Sequence, residues 1–450
     1  MPIRDLIARY DAPVPRYTSY PTAPHFLPVD ADATYRQWLA EVPADAGLSL
    51  YLHVPFCKAM CWYCGCHTKV VNQAGPLLGY ARLLCEEAGL LAGLLPPGPV
   101  VRCIHWGGGS PTILPDDSFL QVMRQLRAVF AVAEDAEISV EIDPRVLDAG
   151  KVETLARVGV NRASLGVQTF DPVVQRAVNR VQPLERVADA VVALRKAGIL
   201  ALNFDLMYGL PHQTVEGVLQ TVDAAIGLRP QRLALFGYAH VPWMKRHQQL
   251  IDAAALPDSL ARFEQSQAAS ERLEQAGYQR VGMDHFALAD NPMAVAARAG
   301  ALHRNFQGYT TDAAAVLLGL GASAIGALPQ GYVQNAVEVP DYRRSLQQHR
   351  LPIARQRRVE ADDRLRRALI ERLMCDLRVD VAEVAAAHGC GVEVFAAEIH
   401  RLQPLQADGL IECQGHEVRL TEVGRPFVRA VAAVFDRYLV TQAARHSKAV

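Results

Sequence analysis

The stretch Cys57-Lys58-Ala59-Met60-Cys61-Trp62-Tyr63-Cys64-Gly65-Cys66 constrains this chain more than any other. A β-prone run, Ser49-Leu50-Tyr51-Leu52-His53-Val54, leads into it and is stopped by Pro55, which cannot donate a ladder hydrogen bond. The cysteines are therefore expected on a loop just past the end of a strand. Cys57, Cys61 and Cys64 are spaced C-x3-C-x2-C. Three thiolates on one tight loop can ligate three irons of a cubane cluster, leaving the fourth iron open to a substrate or cofactor. A structural zinc site competes, with Cys61 and Cys64 as one pair and Cys57 and Cys66 completing the four ligands. No second pair follows, because Cys375, Cys390 and Cys413 are isolated, and so short a loop leaves little chain to wrap an ion. A thioredoxin-like C-x2-C accounts for neither Cys57 nor Cys66. Nine cysteines in 450 residues are too sparse for a disulfide framework. The spacing favours the open-site cluster, with zinc as the alternative.

Half of the 450 residues are hydrophobic, enough to bury the cores of about two to three domains. A formal net charge of −1 argues for neither a nucleic-acid nor an anionic membrane partner. No apolar run reaches the roughly 18 to 20 residues of a membrane span. Met1-Pro2-Ile3-Arg4-Asp5 has no hydrophobic signal segment. Clustered thiols without an export signal point to the reducing cytoplasm, and an open-iron cluster points to anaerobic or microaerobic work.

Residues 1–47 read as a proline-punctuated arm in which Pro13, Pro15, Pro21, Pro24 and Pro28 disfavour a long helix. From 48 to 290 the pattern repeats strand, loop, helix. Strands are predicted over 49–54, 100–106, 137–142, 161–167, 201–207, 233–239 and 279–283. Helices are predicted over Asp116 to Phe130, Glu185 to Ala197 and Leu260 to Ala276, the last two followed by Gly198 and Gly277 where C-terminal caps belong. This alternation means an α/β fold of parallel strands with right-handed crossovers, and six or seven units make a complete or partial barrel. Function is then expected on the loops at the C-terminal strand ends.

Polar residues fall at those ends. Trp106-Gly107-Gly108-Gly109-Ser110-Pro111-Thr112 follows the second strand, and its glycines let backbone approach a ligand closely. Glu141 and Asp143, Gln168, Tyr238-Ala239-His240 and Asp284-His285 mark later ends. Asp205, between Phe204 and Leu206, is a carboxylate inside an apolar strand and costly unless paired. One such residue reads as a structural ion; polar groups on most successive strands read as a lined pocket. Arg180, alone in Ala177-Val178-Asn179-Arg180, reads as a solvated residue. Residues 291–358 extend the barrel. There lie His303 to Thr311 and the glycine-spaced run Leu318 to Gly326, which reads as tight packing. An Arg-rich stretch, Arg355 to Arg367, marks the boundary to a helical, winged-helix-like module over 359–450. Its segment from His388 to Ile399 has two glutamates and no Lys or Arg, so a lid or structural role fits better than DNA binding. Cys85, Cys103, Cys375, Cys390 and Cys413 read as small hydrophobes.

The C-x3-C-x2-C spacing resembles the signature of radical S-adenosylmethionine (SAM) enzymes. His53-Val54-Pro55-Phe56-Cys57 through Cys64-Gly65-Cys66, with Arg16-Tyr17-Thr18-Ser19-Tyr20-Pro21-Thr22 in the arm, resembles the oxygen-independent coproporphyrinogen III oxidases, and the resemblance extends to the C-terminal module. It implies a partial (β/α)6-type barrel that decarboxylates two propionates of coproporphyrinogen III to vinyl groups, giving protoporphyrinogen IX in haem biosynthesis. The related haem-binding and haem-utilisation members of the superfamily are the alternative. The implied cofactors are a [4Fe–4S] cluster on Cys57, Cys61 and Cys64 and two molecules of SAM. Tyr51, Gly108, Glu141 and Ile325 match contacts to the first; Tyr63, Gly109, Ser110, Gln168, Arg180, Asp205 and Ala239 match contacts to the second. Ser110 stands where the family commonly has threonine, a change that keeps the hydroxyl. Cys66 is implied as a catalytic rather than a ligating residue, the arm as a cover on the site, and Arg16 as a partner for a substrate carboxylate. His303 to Thr311 and Leu318 to Gly326 also resemble the family, and that resemblance implies that His303 to Thr311 is a loop over the substrate. An electron donor of flavodoxin type and a monomeric state complete the expectation.

Overall fold

The structure is a computed structural model that describes residues 1–29 and 31–439. Six parallel strands form where the apolar runs predict them: β1 (Gly47–Val54), β2 (Val100–Gly108), β3 (Ala131–Ile142), β4 (Arg162–Gln168), β5 (Ala201–Tyr208) and β6 (Arg232–Gly237). Val316–Leu320 returns to pair parallel with the free side of β1. Antiparallel strands extend both flanks, so the full sheet has 13 strands and ends at Leu27–Pro28 on one edge and Tyr278–Val281 on the other. The sheet curls, because Ser49, His105, Glu141, Ser164, Asp205 and Phe236, one from each of the six strands, line a single internal cavity. Alternate strand residues face outward onto the covering helices; Leu165, Phe204 and Leu206 are buried there with Val187, Val191 and Leu194.

Helices form over Asp116–Val129, Leu184–Lys196 and Ser259–Gln275. Gly198 and Gly277, at φ +85° and +90°, take the left-handed turn after the last two. The segment 279–283, expected as the last of the parallel series, instead belongs to an antiparallel hairpin. Tyr278–Val281 pairs with His285–Leu288, which pairs antiparallel with β6. The turn runs through Gly282 at φ +57°, and Asp284-His285 opens the returning strand.

The arm contains two short helices, Ile3–Tyr10 and Asp32–Ala40, and straps the barrel to the C-terminal module. Leu6, Ile7, Tyr17 and Tyr20 are buried with Leu369, Leu373, Phe427 and Val431 of that module. Tyr17 Oη donates to Asp436 Oδ2 (3.1 Å), and Arg437 N donates to Tyr20 Oη (3.0 Å). The module is a three-stranded sheet, with Glu417–Leu420 between Arg378–Asp380 and Ile411–Gln414, packed with the helices Ala361–Asp376, Val381–Ala387 and Ala396–Ala407. This is the winged-helix arrangement. The last residues of the predicted module, 440–450, lie outside the described residues.

Behind the barrel, Glu87 of the helix Ala74–Ala92 is 1% exposed. Its carboxylate accepts from Gly321 N, Asn335 Nδ2 and Tyr342 Oη, each at 2.6 Å, joining three remote segments. Burial pushes its carboxyl up to about 7, against the pull of these donors.

Candidate active site

The cysteine loop leaves β1 at Pro55 and is held open by a two-residue parallel bridge, Phe56–Cys57 with Lys69–Val70. Thr68 Oγ1 donates to Cys57 Sγ (3.3 Å). Cys61 is buried, and Arg145 Nη2 and Arg180 Nη1 both approach its sulfur at 3.4 Å. Two guanidiniums thus face the one sulfur. Burial pushes the Cys57 thiol up to about 11, whereas a hydrogen bond from Cys66 pulls Cys64 down to about 6. Cys66 itself is exposed.

Glu141 lies on β3 beside this loop. Its Oε2 accepts from Gly108 N (3.0 Å), and its Oε1 lies 3.3 Å from His105 Nε2. Burial opposes its ionisation, but His105 and the Gly108 N–H outweigh burial and hold the carboxyl below its usual range. Tyr51 stacks on His105 with ring centroids 5.7 Å apart, and its hydroxyl is 2.9 Å from His53 Nδ1. The glycine run packs against this group. A Cβ on Gly108, which sits at φ +110°, would fall 2.6 Å from the His53 ring; one on Gly109 would fall 2.6 Å from Phe56 O. The glycines thus admit the cysteine loop and Glu141 themselves, a closer approach than a ligand alone would explain.

Opposite, Arg180 is 7% exposed rather than solvated. It donates to Gly166 O (2.6 Å) and pairs with Asp143 (3.4 Å), which is also clamped by Arg145 (2.7 Å). Its Nε is buried with no hydrogen-bond partner. Gln168, at φ +66°, ends β4 next to it, with its Nε2 and Arg180 Nη2 each 3.0 Å from where a Gly166 Cβ would be. Asp205 is paired as its burial requires: Ser164 Oγ and Asn203 Nδ2 donate to it at 2.8 and 2.9 Å, and burial still pushes it up to about 6. Gln248 Nε2 links Tyr63 O (3.0 Å) to Ala239 O (3.2 Å). Ile325 opens the strand Ile325–Leu328, its backbone against Gly319, the register partner of Tyr51. Of the predicted SAM residues, Glu141 and Asp205 line the barrel cavity and Ala239 a second one; Tyr51, Tyr63, Gly108, Gly109, Gln168, Arg180 and Ile325 line neither, and nor does Ser110. Only 3% exposed, it turns its hydroxyl to Thr112 Oγ1 (3.4 Å), away from the cavities.

The hairpin His303–Asn305/Gly308–Thr310 brings Asn305 and Gln307 into the barrel cavity with Glu141 and Asp205. His105, His53 and Arg145 were not singled out by sequence reasoning. The alternation Tyr51-x-His53 on β1, in register with His105 on β2, is the signal that could have found the histidines.

Residues 51–225 match the model of the Radical SAM superfamily, and residues 359–427 that of the HemN C-terminal domain. The oxygen-independent coproporphyrinogen III oxidase of Bradyrhizobium diazoefficiens is 50% identical over 447 residues, covering 99% of each chain. The chain belongs to the oxygen-independent coproporphyrinogen III oxidase family. The family member from Paracoccus denitrificans is 42% identical, covering 98% of this chain and 97% of its own. The solved coproporphyrinogen III oxidase (HemN) of Escherichia coli, described as a radical SAM enzyme, superposes with a TM-score of 0.90 at 38% identity, over 94% of this chain and 97% of its own.

A [4Fe–4S] cluster and SAM are the cofactors of the radical SAM superfamily, and the donors present fit the cluster. Cys57, Cys61 and Cys64 share one loop, with cations facing Cys61 to offset thiolate charge. Among the described residues no three His, Cys, Asp or Glu side chains gather closely enough to hold a single metal ion. The irons of a cubane are spaced apart, so its ligands need not converge. No described helix is long and apolar enough to cross a membrane.

Proposed function

We propose that this chain converts coproporphyrinogen III to protoporphyrinogen IX, with Cys57, Cys61 and Cys64 holding the cluster and Cys66 left unligated. The observation that carries the reading is the asymmetry of the loop. Three cysteines are flanked by protein donors and cations, while the fourth is exposed beside them.

When bound, the reduced cluster and SAM together supply a 5′-deoxyadenosyl radical, the hydrogen-abstracting agent. Each propionate would give one hydrogen atom to that agent, release one carbon dioxide and pass one electron to an external one-electron acceptor to become a vinyl group. The chain's own part is to bind, orient and exclude water. Glu141, held ionised by His105 and Gly108, takes the ammonium of the first SAM, with Tyr51, Gly108 and Ile325 around it. Arg180, with one buried N–H still unpartnered, takes the carboxylate of the second. Asp205 accepts from ribose hydroxyls, and Tyr63, Gly109, Ser110, Gln168 and Ala239 close that subsite. Ser110 acts there through its backbone, since its hydroxyl is turned away.

A cavity of about 760 Å³ beside Ala239, lined also by Arg16, Arg262 and Asp284, is of a size for the macrocycle. Its arginines suit the carboxylates that remain. Arg16 reaches Gly237 O at 3.3 Å, so the arm covers this cavity, with Pro426 and Arg429 of the C-terminal module on its wall, while the 303–310 hairpin covers the barrel cavity beside it. Cys66, exposed beside the cluster loop and not a ligand, has a catalytic part in this reading. The enzyme acts in the cytoplasm as a monomer with a flavodoxin-type donor; all nine cysteines are free thiols, as a reducing compartment requires.

The test is anaerobic reconstitution followed by SAM, dithionite and coproporphyrinogen III. The product mass should show two carboxyl groups lost. Loss of none, with cluster and SAM both bound, contradicts the assignment.

A further inference from the structure

The cluster must receive electrons from outside, and the surface around its loop has an unusual composition. Two segments hydrogen-bond directly to the loop's backbone. On one side Trp62 N donates to Val178 O (3.0 Å) and Asn179 Nδ2 to Met60 O (2.8 Å). On the other Lys245 Nζ donates to Cys66 O (3.0 Å), and His247 Nε2 lies 2.7 Å from Cys64 O.

These flanks expose large apolar side chains: Val181 at 61%, Met244 at 63% and Leu250 at 60%. They are also basic. Residues 56–70, 172–186 and 241–250 together hold seven Lys or Arg and one acid, Glu185, in a chain of formal net charge −1. Lys69 is paired with Glu338 and Arg180 with Asp143. Lys58, Arg176 and Arg246 of these stretches are exposed. Exposed apolar side chains together with exposed Lys and Arg, on the two segments that hold a redox loop, have the makeup of a transient protein-docking surface.

We propose that this rim is the docking surface for a small acidic one-electron carrier protein. The inference rests on the proposed radical SAM function. In the docked complex one electron leaves the reduced carrier and enters the cluster, and no bond or proton moves. Outer-sphere transfer falls steeply with distance, and a partner on these flanks lies within a few residues of the cysteines. The exposed cations steer encounter, and the apolar side chains hold the complex.

The test uses the anaerobic, cluster-loaded full chain and an acidic flavodoxin as probe, with Kd measured at about 50 mM and about 500 mM salt. Arg176→Glu with Arg246→Glu should weaken binding at least about tenfold at low salt, the gap shrinking to about twofold or less at high salt. Met244→Ser with Leu250→Ser should weaken binding several-fold at both. Arg378→Glu with Arg419→Glu, exposed on the C-terminal module, should leave it unchanged. Dithionite-driven turnover should be unaffected in the Arg176/Arg246 variant. Binding that ignores Arg176 and Arg246, or that falls equally in the control, overturns the docking surface. Failure of dithionite-driven turnover in the unaltered protein overturns the function instead.

Discussion

Glu87 offers a stability effect that can be worked out in advance. Its carboxyl is raised from 4.5 to about 7 by burial, while the unfolded chain keeps the ordinary value. Between these two values the folded state binds the extra proton, so stability falls as pH rises. The contribution is complete below about pH 4.5 and is lost as pH passes through about 7. At ~1.4 kcal/mol per unit, and allowing for partial titration at each end, the loss between pH 5 and pH 8 is roughly 2–3 kcal/mol. Glu87→Gln removes the titration. Its amide also turns a donor toward one of the three donors now facing Glu87, so the variant starts less stable at pH 5 by about 1–2 kcal/mol. Urea unfolding of both proteins at pH 5, 6, 7 and 8 isolates the effect, because other groups titrate alike in each. The difference should move in the variant's favour by roughly 2–3 kcal/mol across the series. A difference independent of pH would refute the reasoning.

Three further outcomes follow from the site. Arg180→Lys keeps the charge but loses the planar fork, so if Arg180 holds a second SAM as proposed, equilibrium dialysis should show that binding step weakened about tenfold and the other unchanged. Gly108→Ala places a methyl on the His53 ring at a left-handed φ; it should cost at least about 1–2 kcal/mol in urea unfolding and weaken SAM binding. Tyr17→Phe leaves buried Asp436 without that donor; at a cost of about 1–3 kcal/mol it should loosen the arm, read as faster hydrogen exchange over residues 3–20 with the barrel unaffected.

The parallel core and the cysteine loop were legible because both depend on local signals: Pro55 ending β1, apolar runs at regular intervals, and Gly198 and Gly277 closing helices. The hairpin Tyr278–Leu288 was not, since a short apolar run reads the same in parallel and antiparallel pairing, and only the turn at Gly282 decides. Arg180 looked solvated because its partners Asp143, Gly166 and Cys61 lie 37, 14 and 119 positions away. His105 stayed hidden for the same reason: the register of β2 between β1 and β3 puts it on Tyr51 and Glu141. Glu87 shows the limit most plainly, with partners 234, 248 and 255 residues distant. Periodicity predicts which face of a helix is buried and says nothing of which charge lies within it.

The central claim is an iron left open by a three-cysteine loop. The most direct measurement is the electron paramagnetic resonance of the anaerobically reduced protein, titrated with SAM in the unaltered chain and in Cys66→Ala. An open iron gives a cluster signal that shifts on SAM addition in both proteins, with full iron content in both. A signal indifferent to SAM, or loss of the cluster in Cys66→Ala, would mean four protein thiolates and a closed site.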